Sequence, residues 1–374
     1  MVRAFFALRG KEERLVANYG ELSNSYKVQS FKAKQNESYD FKLRYAETRA
    51  WEFYRHPDVA GDCYVSVGGL DSITLLVFLR SIGIDVPAVS VSVLEDKSIQ
   101  EVHKQLGVLP LKPEKSKVQV IREFGWPLIS KEVSDKVDAL QHPTERNKNF
   151  RHTVITGEVG GAGSGKFSKN ARLPQRWLEK FGGCESENGH TSYGMPDFFL
   201  SDKCCYYMKE KPCDDYRRET GRSPYMGLMA SEGGRREKTL MLNGCNYISP
   251  KTKRSCPFAI FSRQDLLRLA LDLKVPVPEI YGKIMKAPDG TLFTTKAQRT
   301  GCSMCGFGIH LEQRPHRFDR LWQSNPKEWE FWMNHVVQRE DGSWYGWGHV
   351  LDYIGVAWRD PAEQFSGKGR WRLL

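Results

Sequence analysis

The chain has 374 residues, 40% of them hydrophobic and 12% aromatic, enough to bury a sizeable core in one large domain or two ordinary ones. No apolar run approaches the roughly 18 residues that span a bilayer, and residues 1–10 turn to charge too soon for a secretory signal, so the cytosol is expected and no membrane association. Nine cysteines in such a compartment argue against a disulfide framework and for metal ligation or catalysis, while the formal charge of +11 favours polyanionic partners, tRNA or DNA among them.

In chain order, the polar stretch 20–35 predicts an irregular arm, and Leu43, Ala46, Ala50, Phe53 and Tyr54 at helical spacing predict a helix over 41–55 that stops before Pro57. A strand at 63–67, a turn at Gly68-Gly69 and a helix over 72–82 follow, then a strand at 88–93, a helix over 98–106, an extended piece at 108–111, and helices over 118–124 and 131–140. The stretch 154–165 reads as a strand ending in a glycine-rich loop, with a helix resuming at 173–181. A helix carrying Cys204 and Cys205, strands at 225–229 and 258–261, and a helix over 263–273 continue the alternation. The end of the chain, from residue 317, reads as helical and rich in tryptophan: Trp322, Trp329, Trp332, Trp344, Trp347 and Trp358, mostly packing residues, with base stacking as the alternative. The pattern predicts an α/β fold, a parallel sheet with helices on both faces, whose ligands sit at the carboxyl ends of the strands. We divide it into an arm and helix at 1–58, a nucleotide-binding and metal domain at 59–310 and a helical extension at 311–374.

Between the first strand and its helix lies Ser66-Val67-Gly68-Gly69-Leu70-Asp71-Ser72. Two glycines let the backbone turn tightly with its N–H groups toward a ligand, and the helix that follows favours an anion at its N-terminus. Ser66, Gly68, Gly69, Asp71 and Ser72 are thus candidate pyrophosphate contacts, with Asp71 placed to orient a serine or help hold magnesium; a plain Gly-Gly turn capped by Asp71 is the alternative. These residues resemble the SGGxDS loop of the ATP-pyrophosphatase (PP-loop) and sulfonucleotide-reductase superfamily, with Val67 where that loop has its first serine. A second run, Gly160-Gly161-Ala162-Gly163-Ser164-Gly165-Lys166, fits the first seven positions of a Walker A loop, but Phe167 replaces the magnesium-binding hydroxyl and Pro174 delays the helix. A loop that closes Lys166, Lys169 or Arg172 over nucleotide phosphates is one reading of it, and a plain flexible loop the other.

Cys302-Ser303-Met304-Cys305, flanked by glycines, is a CxxC able to chelate a metal or cluster, and Cys204-Cys205 lies 96 residues before it. Neighbouring side chains on a helix diverge by about 100°, so Cys245 or Cys213 could substitute for Cys204; Cys63, Cys184 and Cys256 read as small buried hydrophobes, and His310 and His316 as packing or solvated residues. Between the two sites, the run 227–236 ends a strand in a small-residue turn with Glu232, Arg235 and Arg236, an anion clamp or a charged helix start.

The paired cysteines plus CxxC, with Lys209 and Pro212 after the pair, resemble the phosphoadenylyl-sulfate (PAPS) reductase family, over about residues 62–308. The resemblance implies an adenine-nucleotide site and a four-iron, four-sulfur cluster on Cys204, Cys205, Cys302 and Cys305, with zinc as the alternative. It also implies a sulfur donor or thiol reductant protein as partner. A reductase of that family uses a C-terminal cysteine as nucleophile, and no cysteine follows Cys305 in the sequence. Three functions stay open: ATP-pyrophosphatase-like activation with Mg2+, Asp71, Arg235 and Arg236 and sulfur transfer to an acceptor; thiol-dependent reduction of PAPS or adenylyl sulfate (APS); and nucleotide or cluster sensing without turnover.

Overall fold

Cys63, Tyr64 and Val65 are all buried, as a strand covered by helices on both faces requires. In the computed structural model, which describes residues 23–183 and 193–365, this strand, β1 (Cys63–Ser66), joins β2 (Ala88–Ser90), β3 (Leu109–Pro110), β4 (Ser223–Met226), β5 (Asn246–Ile248) and β6 (Lys253–Ser255) in one sheet. The strand order is β3-β2-β1-β4-β6-β5, with every pairing parallel except that of β5 with β6 at the edge. Helices Leu70–Ser81, Lys97–Gln105, Gly234–Asn243 and Arg263–Asp272 flank it, so the expected α/β architecture is present.

The described residues fall into two compact units, one within Met1–Lys112 and Pro212–Gly301, the other within Pro113–Lys211 and Cys302–Leu374. The divisions expected at 58 and 310 do not coincide with the points where the chain passes from one unit to the other, at 112, 211 and 301. Each unit has its own core. Phe53, Val65, Ile73, Leu75, Tyr225 and Phe258 belong to that of unit one, where the Tyr225 hydroxyl donates to the Ala50 carbonyl at 2.7 Å.

Unit one departs from the sequence reading at several points. Asn24–Gln35 is a helix, not an irregular arm: Ser23 caps it by accepting from the Tyr26 amide, and its one buried side chain, Phe31, leaves no apolar stripe to read. The next helix is Tyr39–Arg55, starting two residues early because Ser38 accepts from the Phe41 amide. Residues 258–261 form turns, not a strand; Phe258, Ala259, Ile260 and Phe261 are all buried, and a short apolar run cannot declare whether it is paired or merely packed. The strand lies just before, in β6, and β2 and β4 are likewise shorter than expected.

Unit two is helical: Lys117–Phe124, Lys131–Gln141, Lys148–Thr156, Gln175–Phe181, Arg317–Ser324, Pro326–Asn334 and Trp347–Ile354, with a short hairpin of Val337–Gln338 and Trp344–Tyr345. Val154 therefore lies in a helix rather than the expected strand, and Gly157 ends that helix in the left-handed region at φ 86°. Trp329, Trp332 and Trp347 are buried, and Trp322 and Trp358 pack against the same core; Trp344 is exposed, with the Arg122 guanidinium 5.7 Å from its ring centre. Leu128–Ile129 pairs in parallel with Gly306–Phe307, the strand directly after the CxxC.

Gly306 shows how tightly that pairing is packed. A Cβ there would stand 2.3 Å from the Trp347 ring and 2.7 Å from the Pro127 carbonyl oxygen, neither of which yields cheaply. Gly306→Ala is expected to cost about 1–3 kcal/mol by overpacking, measured as an earlier urea transition in far-ultraviolet circular dichroism.

Candidate functional site

The loop after β1 is held by groups from distant parts of unit one. Val67 faces the core, with its amide donating to the Val89 carbonyl at 2.8 Å, which leaves the hydroxyl of Ser66 on the strand end, 3.9 Å from the Cys213 thiol. The Ser72 hydroxyl closes the turn, accepting from the Gly68 amide at 2.7 Å and donating to the Gly69 carbonyl at 3.0 Å. Gly69 is the N-cap, so the helix begins at Leu70 rather than Ser72 and both Leu70 and Asp71 lie in its first turn. A Cβ on Gly69 would fall 2.3 Å from the Tyr281 hydroxyl, so only glycine fits. That hydroxyl accepts from the Leu70 amide at 3.1 Å and contacts Thr300 Oγ1 at 2.7 Å.

His103 braces the other side. Its Nε2 lies 2.8 Å from the Gly68 carbonyl oxygen and its Nδ1 2.9 Å from Ser92 Oγ. A carbonyl only accepts, so Nε2 carries the proton and Nδ1 accepts from the serine, a neutral tautomer. Burial, opposed by the Gly68 bond, holds the imidazole below the usual histidine range, consistent with that form.

Asp71 is engaged by the guanidinium of Arg263, which also donates to the Gln298 carbonyl at 3.0 Å. Burial pushes the carboxyl above its usual range, while Arg263 pulls it down and Glu232 pushes it up. Arg236 is exposed and pairs with Glu232 at the start of its helix; the side chain of Arg235 lies outside the described residues. The residues beyond β4 come against the loop as well, since a Cβ on Gly227 would stand 2.9 Å from the Ser72 backbone. Sequence reasoning missed Arg263, Tyr281, Thr300 and His103. Arg263 follows a capping serine as any first-turn residue would, and its partner is 192 positions away.

The run Gly160–Lys166 belongs to unit two and follows a helix rather than a strand, so it is no Walker loop. Arg172 is committed within the unit, donating to the Ile155 carbonyl at 2.9 Å, whereas Lys166 is exposed.

Cys204, Cys205, Cys302 and Cys305 all belong to unit two. Burial pushes the Cys204 thiol up to about 11 and the Cys205 thiol up to about 12, and the neighbouring thiols of Cys302 and Cys305 add to both shifts. Lys117 and Lys209 oppose the shift at Cys204, and Lys131 opposes it at Cys205. Lys117 also donates to the Ser303 carbonyl inside the CxxC, and Arg317 to the Cys305 carbonyl at 3.1 Å. The CxxC turn is closed by the Cys305 amide on the Cys302 carbonyl at 3.2 Å, with buried Met304 in the left-handed region at φ 52°.

The paired cysteines open a helical run in which Lys203–Cys205 is α-helical, Tyr206–Glu210 is a π turn and Lys211–Thr220 is α-helical again. The Lys211 amide reaches back five residues to the Tyr206 carbonyl. Pro212 supplies the physical reason: an interior proline lacks a donor and crowds the carbonyl four residues earlier, and a widened turn relieves this. Among the described residues, no group of three or more His, Cys, Asp or Glu side chains is arranged to hold a metal ion. Cys245 is buried in unit one beside Tyr45 and Arg49, and Cys63 and Cys256 are buried there too; Cys184 lies outside the described residues. His310 packs edge-on against Trp177, and His316 caps the helix Arg317–Ser324.

No protein-family model matches the chain, and no curated protein matches it. Among solved structures it is similar to phosphoadenylyl-sulfate (PAPS) reductase from Candida auris in a phosphate complex, with 12% identity, 72% of this chain and 98% of that chain covered, and a TM-score of 0.34. A likeness of this extent is distant and assigns no activity.

Two measurements check the bracing of the loop. Tyr281→Phe strands the buried Leu70 amide and is expected to cost about 1–3 kcal/mol in urea denaturation. A histidine whose folded pKa is lowered adds stability that is complete above its unfolded pKa of about 6.5 and is lost as pH falls below it, because the unfolded chain then binds more protons. The stability of the native protein should therefore fall from pH 7 to pH 5 more steeply than that of His103→Gln.

Proposed function

We propose that the chain is a PP-loop enzyme of sulfur chemistry that binds ATP at residues 66–72 and activates an acceptor by adenylation. One observation carries this reading. The strand order reverses between β1 and β4, where β2 and β3 continue to one side and β6 to the other, and ligands of such sheets bind in the crevice beyond the carboxyl ends at that switch point. The glycine loop follows β1, and Gly227, just after β4, packs on Ser72.

In this mechanism the loop backbone and the start of the helix Leu70–Ser81 would face the phosphates. Arg263 fixes Asp71, which would orient the Mg2+–nucleotide. An acceptor oxygen forms a bond to the α-phosphorus as the bond to pyrophosphate breaks, its proton passing to solvent, and the negative leaving group is met by cations. Arg236 and Arg235, which belong to the same unit as the loop, are the candidates for that role.

Cys204, Cys205, Cys302 and Cys305 would hold a four-iron, four-sulfur cluster. The donor set fits by its chemistry, for thiols and lysines, with no carboxylate or imidazole, are the leading charges acting on Cys204 and Cys205. When bound, such a cluster supplies ligation or relay of sulfur; nucleic acid, tRNA or DNA, is the acceptor class that the basic charge favours, and a sulfur donor or thiol protein the partner.

A second reading, thiol-dependent reduction of PAPS or APS, is favoured by Cys213 beside Ser66. Its thiolate would bond to the sulfate sulfur as the nucleotide leaves, and an external thiolate would then bond to the Cys213 sulfur, expelling sulfite and leaving the two thiols oxidised as a mixed disulfide.

With ATP, Mg2+ and nucleic acid, the protein is expected to release pyrophosphate, with AMP following only when sulfide is added to displace it from the adenylated acceptor, and Asp71→Ala to lower the rate by at least about tenfold, as the loss of roughly 1.4 kcal/mol of transition-state stabilisation. Sulfite release from PAPS or APS that disappears in Cys213→Ser, with no pyrophosphate from ATP, decides for the second reading. An anaerobic preparation should be brown with about four irons per chain, and Cys305→Ser should lower that content; stoichiometric zinc in its place removes the cluster.

A further inference from the structure

Residues 145–180 of unit two carry eight basic and three acidic side chains, nearly half of the whole chain's formal +11 within a tenth of its length. Of the three acids, Glu145 and Glu179 are exposed and offset part of this, while the third is turned inward. Glu158 is buried and turned into its own loop, accepting from the Gly165 amide at 2.8 Å and standing 2.8 Å from His152 Nε2. Glu179 accepts from Gln175. Arg146, Lys148, Lys166, Lys169 and Arg176 are all exposed, and none pairs with an acid among the described residues.

The same segment shows aromatic surface among these cations. Glu158 and Phe167 face each other across an antiparallel bridge that closes the glycine loop, and four of its glycines, at 160, 161, 163 and 165, have φ between 67° and 102°. The backbone therefore holds a shape that side-chain-bearing residues rarely adopt. Phe167 is 72% exposed at the foot of this hairpin, between Lys166 and Lys169, and Phe150 is exposed on the helix that begins with Lys148. A packing role does not account for a phenylalanine left in water beside two lysines, nor does a purely electrostatic one.

We propose that this hairpin and its flanking helix dock single-stranded nucleic acid, the lysines and arginines meeting backbone phosphates and Phe167 stacking on an unpaired base. Cations alone would serve any polyanion, but an exposed ring among them adds a contact that only a strand with free base faces can use. The inference gives the acceptor class of the proposed function a place to bind, and it rests on that reading only there, since the residues tested lie outside the nucleotide loop.

The test uses the full chain and a fluorescein-labelled oligothymidylate about 20 nucleotides long, followed by anisotropy from about 50 to about 200 mM salt. The doubly substituted Lys148→Ala, Lys169→Ala protein is expected to bind more weakly, and its slope of log affinity against log salt to fall by about 1.4, near 0.7 for each lost phosphate contact. Phe167→Ala should bind roughly tenfold more weakly with the slope unchanged, as loss of stacking requires. A duplex of the same length should bind less tightly than the single strand. Three results would each overturn the proposal: wild-type affinity and slope in the double variant, no effect of Phe167→Ala, or competition by polyglutamate as effective as by unlabelled oligonucleotide. Circular dichroism establishes that the variants are folded, which exposed positions allow. ATP binding, measured on the same preparations, tests the nucleotide reading separately: oligonucleotide binding without ATP binding refutes that reading and leaves this one standing.

Discussion

The structure depends on keeping the backbone of residues 68–72 open and fixed at the end of the central strand. The turn bonds its Gly68 amide to Ser72 and its Leu70 amide to Tyr281, so both its own residues and distant parts of the chain hold it. Here the Tyr281 hydroxyl fills the space a side chain on Gly69 would need, Ser72 ties the two glycines together, and His103 takes the Gly68 carbonyl. Gly227 lets the end of β4 close on the start of the helix. Each contact costs a specific residue type, glycine twice for space and a neutral histidine once for its proton, and all of them lie at the switch point of the sheet.

Val67 illustrates the same constraint. A serine at this position would place a hydroxyl where the chain is buried and its amide is already bonded to β2, so an apolar side chain is the better fit and the hydroxyl appears one residue earlier. The change moves the polar group from the loop to the strand end, beside Cys213. Asp71 is likewise shaped by its surroundings: its burial opposes ionisation, and Arg263 offsets that only in part.

In unit two the organising problem is the adjacent pair of thiols, Cys204 buried and Cys205 half-buried. Burial makes each thiolate costly and a neighbouring thiolate makes it costlier, so the lysines at 117, 131 and 209 are the counterweight. The helix that starts with the paired cysteines also loosens into a π turn ahead of Pro212. Two adjacent cysteines on a regular helix point to different sides, and a departure from regular geometry immediately after them is where such a pair could be re-aimed.

The sequence by itself determined the features that rest on neighbouring residues: a strand, two glycines and a helix start make the loop at 66–72; apolar spacing makes the helix ending at Arg55; the alternation of short strands and helices makes the parallel sheet. It was silent or wrong where the deciding contact is remote. The apolar runs at 154 and 258–261 are equally suited to helix, strand or packed turn, and only their burial chooses. The polar helix Asn24–Gln35 has almost no apolar face to announce it. Arg263, Tyr281 and His103 carry no local motif, because the site needs their charge, size and proton and is indifferent to their sequence neighbours; the fold alone brings Arg263 across 192 positions to Asp71. Tertiary structure also decided the division of the chain, since two cores that each draw on separated stretches cannot be seen as boundaries along a line.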